Sequence, residues 1–302
     1  MSPHARPALH LSVLLLATTL AGCASWRLPA LSAEEAPGAA LNTPEQVWAL
    51  TDGEHLVHFA AATPQRLDRQ CTLSGLRAGD QLLGIDYRVA HGQLYGLGRL
   101  GQLYRLDTTQ CQASPVGDGI GWPLLGARVG IDFNPTVDRL RVVTEAGQNL
   151  RVHPETGAVV DSDPQAPGVQ TDGLLGYVDG DAQAGRAPRV VAAGYTYNAR
   201  NSKITTNYAI DLAAGQLVMQ GSHEDATPPV SPNTGRLRSV GPLGVPGVTE
   251  ADLDISDERN TALAVLRTDR SRLYRIDLAT GAARLIGLVG DGAPVRSIAI
   301  EP

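Results

Sequence analysis

Three aspartates recur at one position of a repeated pattern and could together hold a cation. Asp86 and Asp132 each follow Gly-Ile and precede an aromatic residue, and Asp254 is their counterpart in a later repeat. If the repeats close into a ring, the three carboxylates lie near its axis, and calcium prefers oxygen ligands. The corresponding residues of two further repeats are Val178 and Ala299, so the ring of carboxylates is incomplete. We therefore favour the alternative, in which each carboxylate accepts backbone hydrogen bonds, and predict no metal site.

The densest polar stretch lies between Asn134 and Asn149 and is the first choice for a ligand surface. Arg139 or Arg141 could hold an anionic ligand there, because a guanidinium offers a fork of donors to a carboxylate or phosphate. The alternative is a hairpin turn from Asn134 to Asp138 with solvated or cross-strand charges. The ligand-binding residues predicted on this basis are Asp132, Asn134, Arg139 and Arg141. A later hairpin could add to the surface through Tyr195, Tyr197, Asn198, Arg200 and Asn201.

Other kinds of chemistry find no support in the sequence. The seven histidines show no metal-ligand spacing, and neither a nucleophile elbow nor a phosphate-binding glycine loop is present. Catalytic residues therefore stay unassigned, and no cofactor is predicted. The net charge of −6 argues against a nucleic-acid partner, because binding phosphates requires a basic surface. An aromatic content of 4% argues against an extended stacking surface for sugars or bases.

Cys23 is predicted to carry a lipid anchor. It ends the segment Leu20-Ala21-Gly22-Cys23, which resembles the bacterial lipobox and follows a short apolar run with a positively charged start. Ala24 stands where an inner-membrane retention signal usually has Asp, so the predicted location is the outer membrane, facing the periplasm or the cell surface. The predicted domains are a signal peptide (1–22), a lipidated cysteine with a flexible tether (23–43) and one folded domain (44–302).

Cys71 and Cys111 are predicted to form a disulfide. They remain after lipidation of the first cysteine, and an even pair in an oxidising compartment normally joins. Both fall at outer-strand positions of successive repeats. The bond would connect the terminal repeat to its neighbour.

The elements that carry these residues repeat along the chain. Three segments begin alike at Gly84, Gly130 and Gly176, evenly spaced by 46 residues, which suits one four-stranded propeller blade. The 33 Gly and 20 Pro are typical of a turn-rich β protein. A period-two pattern of the kind that strands require recurs at 103–107, 149–153, 207–211 and 273–277.

The third repeat, residues 174–242, is longer than the others. Its inner strand is predicted at Gly176-Tyr177-Val178-Asp179, and an insertion at 223–234 is rich in Pro. The repeats of ordinary length each predict four strands and cover residues 82–116, 125–163 and 249–290.

The two ends of the chain are predicted to share one blade. Residues 295–300 form an inner-type strand with no partner downstream, whereas 47–50, 55–59 and 71–73 form three strands that lack an inner one. Pairing them closes the ring and removes exposed strand edges. The predicted fold is an all-β, five-bladed β-propeller, with six blades or an open array as alternatives.

A family resemblance agrees with this interpretation. Residues 132–157 (DFNPTVDRLRVVTEAGQNLRVHPETG) resemble the signature of the bacterial family of unknown function numbered 4394, and residues 83–96 and 235–244 are similar to its flanking blocks. The likeness extends from about Val47 to the end of the chain. It implies a propeller-like repeat in a bacterial envelope or secreted protein, and it implies no activity.

Two functions remain open. The first is a non-enzymatic binding or scaffold module of the cell envelope, attached to the membrane through its lipid and contacting an envelope protein or a small ligand. The second is an envelope hydrolase or lyase at the propeller channel, for which Asp132 and Arg139 are the candidate residues.

Overall fold

Every sheet of the computed structural model contains one strand that lies near a common axis and others that extend outward. The structure describes residues 43–51 and 54–302. Cys23, the predicted signal peptide and the predicted tether up to residue 42 lie outside the described residues. Within the described part of the chain, no helix is long and apolar enough to cross a membrane.

The first ten strands form one partial sheet and two blades. The partial sheet consists of β1 (Gln46–Thr51), β2 (His55–Ala60) and β3 (Leu67–Thr72). Blade 1 consists of β4 (Leu82–Arg88), β5 (Gln93–Gly98), β6 (Leu103–Asp107) and β7 (Gln112–Val116), with a 3₁₀ turn at Val89–His91. Blade 2 consists of β8 (Val129–Asn134), β9 (Arg139–Thr144) and β10 (Asn149–Val152).

The remaining strands form blades 3 and 4 and complete the ring. Blade 3 contains β11 (Gly176–Tyr177), β12 (Val190–Tyr195), β13 (Asn207–Asp211), β14 (Gln216–Gln220) and β15 (Arg236–Pro242), with a 3₁₀ turn at Pro232–Thr234. Blade 4 contains β16 (Glu250–Ile255), β17 (Ala262–Arg267), β18 (Ser271–Ile276) and β19 (Ala283–Leu288). The last strand is β20 (Val295–Ile300).

The inner strands β4, β8, β12, β16 and β20 contact one another in this order around the axis. The arrangement is a five-bladed propeller, which confirms the predicted fold. Apolar side chains fill the space between adjacent blades; Leu97 of blade 1 and Val142 of blade 2, for example, belong to one buried cluster. Burying a Val or Leu side chain contributes about 1.5–3 kcal/mol, so these clusters hold neighbouring blades together.

Blade 5 is assembled from both ends of the chain, as predicted. Strand β20 pairs antiparallel with β1, so that Ala299 lies opposite Trp48, and β2 and β3 complete the sheet. The Trp48 indole N–H donates a 2.8 Å hydrogen bond to Glu301 Oε1 beside this pairing.

The inner strand predicted for blade 3 is wrong. Gly176–Tyr177 (β11) lies at the outer edge of the sheet and pairs in parallel with β15, whereas β12 lies at the axis. An inner strand is covered on both faces, and every residue of β12 is buried, whereas Asp179 is exposed. The counterpart of Asp132 in this blade is therefore Gly194 rather than Val178.

Two further strands differ from the prediction. Blade 2 has three strands instead of four, because after β10 only an isolated bridge joins Val152 to Val159. The next residues, 160–171, carry Pro and Asp in place of alternating apolar residues, and therefore cannot continue a sheet. In blade 3, β13 is the second strand from the axis, although its sequence resembles the third strands of blades 1, 2 and 4.

The predicted disulfide is confirmed. Cys71 of β3 and Cys111, which precedes β7, are joined with a Cα–Cα distance of 6.2 Å. The bond connects blade 5 to blade 1, next to a parallel bridge between Ser74 and Gln112.

Gly130 allows the inner strands of blades 2 and 3 to approach closely. A Cβ atom at this position would lie 2.4 Å from the Cα of Ala192. Backbone cannot move aside as a flexible side chain can, so the contact requires a residue without a side chain.

Candidate functional site

A cleft of about 310 Å³ lies between blades 2 and 3, on the face where the inner strands end. We call it the arginine cleft, because three of its side chains are guanidinium groups. Its lining residues are Asn134, Val137, Arg139, Arg141, Arg151, Val160, Tyr195, Ser231, Pro232 and Asn233.

Strand alternation brings the three arginines together. Arg139 and Arg141 are two residues apart on β9, and Arg151 on β10 lies directly opposite Arg141. Side chains two residues apart share one face of a sheet, as do directly opposite residues. Blade 2 therefore presents three positive charges on the face that packs against blade 3.

Arg141 forms the floor of the cleft and is only 1% exposed. Its Nη1 donates to Asp172 Oδ2 at 2.6 Å and to Asn149 Oδ1 at 2.7 Å. Its Nε donates to the Tyr195 hydroxyl at 3.1 Å, and its Nη2 donates to Asn233 Oδ1 at 2.6 Å. Arg141 thereby joins blades 2 and 3 and is a positioning group, since most of its donors are already in use.

Arg151 and Arg139 differ in how their charge is balanced. Arg151 donates to both carboxylate oxygens of Asp172, through Nε at 2.9 Å and Nη2 at 2.8 Å. Arg139 donates only to the backbone carbonyls of Val137 and Asp138, and forms no ion pair with any residue that the structure describes. Burial lowers the pKa of His153, and the positive charges of Arg139 and Arg151 lower it further.

The Pro-rich insertion predicted at 223–234 supplies one wall of the cleft. It contributes Ser231, Pro232 and Asn233. The carbonyl of Pro232 accepts hydrogen bonds from Gln220 Nε2 at 2.7 Å and Asn149 Nδ2 at 3.2 Å, which fix the insertion to both blades.

The carboxylates of Asp86, Asp132 and Asp254 meet near the axis, where oxygen atoms of all three lie within 4.8 Å of one another. All three residues are buried and line a small central cavity on the same face as the arginine cleft. Carboxylate oxygens are ligands that calcium prefers, so this donor set could contact a cation.

The same carboxylates also accept hydrogen bonds from neighbouring inner strands. The backbone N–H of Ile300 donates to Asp254 Oδ2 at 2.5 Å, and that of Tyr195 donates to Asp132. Inner strands have no sheet partner on the axial side, so their amides need an acceptor there. This is the structural role that we favoured from the sequence.

Burial raises the pKa values of these aspartates. The pKa of Asp86 lies well above its usual range because of burial and of the nearby Asp254, and that of Asp132 is raised by burial, Asp86 and Asp254. Burial raises the pKa of Asp254 to about 6. It raises that of Asp252, two residues before Asp254 on β16, to about 8.

The sequence-predicted ligand residues divide between the two cavities. Asn134, Arg139 and Arg141 line the arginine cleft, whereas Asp132 lines the central cavity. Asn134 also forms the predicted hairpin turn, because its Oδ1 accepts from the Thr136 backbone N–H at 2.8 Å. Asp132 and Arg139, the candidate residues of the enzymatic alternative, thus face different cavities.

Sequence comparison places the chain in a family. Residues 55–299 match the sequence model of the domain of unknown function DUF4394. The chain belongs to the DUF4394 family. No curated protein matches its sequence.

Solved structures with similar folds are distant from this DUF4394 domain. A protein of unknown function from Bacteroides caccae has a TM-score of 0.43 at 9% identity, covering 85% of this chain and 99% of that one. Glutaminyl cyclase from Myxococcus xanthus has a TM-score of 0.42 at 11% identity, covering 74% and 83%. A chain of a nidogen/laminin complex has a TM-score of 0.43 at 10% identity, covering 85% and 98%. At this level of similarity none of the three bears on function.

Sequence reasoning missed several residues that line the arginine cleft or hold its arginines in place. Arg151, Asp172 and Asn233 come from three separate segments, and only the fold brings them together. Arg151 had one usable signal, since it lies at the same position of its repeat as Arg105 and Arg275.

The later hairpin contributes to both cavities. Tyr195 lines the arginine cleft and the central cavity, and Tyr197 lines the central cavity alone. Asn198 donates to Glu224 at 2.7 Å, and Arg200 and Asn201 lie in an exposed loop that lines neither cavity.

Proposed function

We propose that this DUF4394 protein is a lipid-anchored binding module of the cell envelope that holds a small anionic ligand in the arginine cleft without transforming it. The observation that carries the proposal is the meeting of Arg139, Arg141 and Arg151 in one cleft, where Asp172 is the acidic partner of two of them. A guanidinium that retains free donors in a recess is suited to a carboxylate or phosphate.

The preformed geometry supports binding. Arg141 is held by four different side chains, so the floor of the cleft is rigid before any ligand arrives. A site that needs no reordering loses less conformational entropy on binding. The rim, formed in part by the half-buried Arg139, stays accessible.

The anion site is tested by thermal unfolding of the purified full chain in the presence of acetate, succinate, phosphate or sulfate. Binding to the native state raises the melting temperature. We expect at least one anion to raise it for the natural protein, and the Arg139→Ala variant to lose that increase. Arg284→Ala is the matched control. Arg284 is exposed on blade 4, so this substitution removes the same charge far from the cleft. If both variants lose the increase in melting temperature equally, the anions respond to the overall charge of the protein and not to the cleft.

The enzymatic alternative is tested on the same samples. A binding module returns the bound anion unchanged, whereas a hydrolase or lyase consumes it. Nuclear magnetic resonance spectra of the ligand after prolonged incubation should therefore show one compound. A product that disappears in Asp132→Asn would favour the enzyme instead.

The envelope location is a separate part of the proposal and rests on the segment that ends in Cys23. Metabolic labelling with palmitate should mark the natural protein and leave Cys23→Ser unlabelled. The variant should also leave the membrane fraction on cell fractionation, because lipid chains on one residue hold the chain to the bilayer. Label on Cys23→Ser, or membrane retention without it, would contradict the anchor.

A further inference from the structure

We infer that the ligand of the arginine cleft carries two negative charges on a short apolar body, as a dicarboxylate or a phosphate monoester does. This inference rests on the proposed function and adds the class of ligand. It follows from the balance of charges, from the positions of the free donors and from the apolar walls.

The charges in the cleft do not balance. Asp172 neutralises one charge of the pair Arg141 and Arg151, with which it forms contacts of 2.6 and 2.8 Å. The acidic groups nearest to these arginines along the chain already have partners: Asp138 and Glu155 pair with Arg88 of blade 1, and Glu145 pairs with Arg128. Three guanidinium groups thus face one carboxylate, which leaves two positive charges for a ligand.

The donors that remain free belong to two different arginines. The Nε and Nη2 atoms of Arg139 and the Nη1 atom of Arg151 make no hydrogen bond with any residue of the described ranges. Arg151 lies opposite Arg141, and Arg139 lies two residues before Arg141, so the pair is diagonal across two strands. Diagonal neighbours are about 7–8 Å apart at the backbone, and long side chains from such positions can contact one small molecule from two sides.

The walls between these donors are apolar. Val137, Val160 and the ring of Pro232 line the cleft, and Val137 is 55% exposed. A ligand with a few CH₂ groups would bury that surface, and the removal of apolar surface from water favours binding. An anion with a short hydrocarbon body therefore fits better than a bare inorganic ion.

Two matched series of compounds test the charge requirement by calorimetric titration of the purified full chain. Succinate, succinamate and succinamide have nearly one size and carry two, one and no negative charges. Methyl phosphate and dimethyl phosphate vary the charge of a phosphate ester in the same way. We expect the doubly charged member of at least one series to bind at least tenfold more tightly than its singly charged relative. The series that binds identifies the ligand as dicarboxylate or phosphate monoester.

A variant locates the effect in the cleft. Arg139→Gln keeps a polar side chain, though a shorter one, and removes one charge, so it should reduce the preference for two charges over one to less than about threefold. Arg284→Gln should leave the preference unchanged.

The outcomes separate this inference from the proposed function. If succinamate binds as tightly as succinate, and dimethyl phosphate as tightly as methyl phosphate, the cleft is an anion site but the requirement for two charges is overturned. If no member of either series binds, and inorganic anions also leave the melting temperature unchanged, the proposed function fails together with the inference. A preference that survives in Arg139→Gln would overturn the assignment to this cleft.

Discussion

The backbone N–H of Phe133 donates a 2.6 Å hydrogen bond to Oδ2 of Asp86, and so ties the inner strand of blade 2 to that of blade 1. The same tie joins Asp132 of blade 2 to Tyr195 of blade 3, and Asp254 of blade 4 to Ile300 of blade 5. Gly194 of blade 3 has no carboxylate to offer to blade 4, and there the N–H of Ile255 donates to its neighbour Asp254 instead, at 2.6 Å. Aspartates around the axis thus replace the sheet partner that inner strands lack.

These buried aspartates should make the domain more stable in mild acid than in alkali. Their pKa values are raised in the folded state, to about 6 for Asp254 and about 8 for Asp252. The stability that they contribute is present in full below the unfolded pKa of about 4, and is lost as pH rises through the folded values. We expect the free energy of unfolding, measured in urea, to fall by on the order of 1–3 kcal/mol between about pH 5 and pH 9.

A neutral variant checks the cause of this pH dependence. Asp252→Asn cannot ionise, so its free energy of unfolding should decline less than that of the natural protein over the same range. Asp118→Asn, at an exposed position, should decline as the natural protein does. Equal slopes for all three proteins would place the pH dependence elsewhere.

Removal of the Arg141 side chain should destabilise the fold strongly. Arg141→Ala leaves Asp172, Asn149 and Asn233 without their shared donor inside the interface of blades 2 and 3. Breaking a buried ion pair from one side costs about 3–5 kcal/mol, and we expect about 3 kcal/mol because Arg151 still pairs with Asp172. Arg139→Ala should cost less than about 1 kcal/mol in the same urea titration. A similar loss in both variants would argue against a structural role for Arg141.

The disulfide should stabilise the closed ring. The Cys71→Ser/Cys111→Ser double variant opens a cross-link between residues 40 positions apart, and such links contribute about 2–4 kcal/mol. Urea unfolding should show this difference, and the reduced natural protein should unfold with the double variant. A reductant that further destabilised the double variant would point to another cause.

A methyl group at Gly130 should be far more harmful than one at Gly84. Gly130→Ala places a Cβ atom 2.4 Å from the Ala192 backbone, whereas the Cβ atom of Gly84→Ala would lie 3.1 Å from Cγ1 of the Ile131 side chain. Overpacking a core costs about 1–3 kcal/mol of stability. Because Gly130→Ala is opposed by backbone atoms, we expect its cost to lie at or above the upper end of that range. The yield of folded protein and the melting temperature compare the two variants directly. Equal behaviour would mean that the strands of blades 2 and 3 can separate at little cost.

The periodicity of the sequence was sufficient to predict a ring of five blades, but it did not identify the inner strand of blade 3, the longest blade. The even spacing of Gly84 and Gly130 marks true inner strands, because both precede a buried aspartate and an aromatic residue. Gly176 continues the spacing by coincidence, since an edge strand and an inserted segment precede the real inner strand of blade 3. Spacing along a chain does not reveal which strand reaches the axis; burial on both faces does.

The candidate cleft was only partly predictable, for a related reason. Arg139 and Arg141 stand out as alternate charged residues in a strand, a pattern visible in any sequence. Asp172 and Asn233 lie 31 and 92 residues from Arg141, and neither belongs to a strand. Contacts of that kind follow from the packing of blade 3 against blade 2.

Blade 5 contains strands from both ends of the chain, and this sets an order for the steps of folding. Glu301 contacts Trp48 across 253 positions of sequence, and β20 follows every other strand in the chain. Neither end of the chain can complete the sheet of blade 5 until the other end is present. Folding that waits for such distant contacts is slow. The ring therefore cannot close before β20 is available, which is compatible with the export of an unfolded chain that we propose.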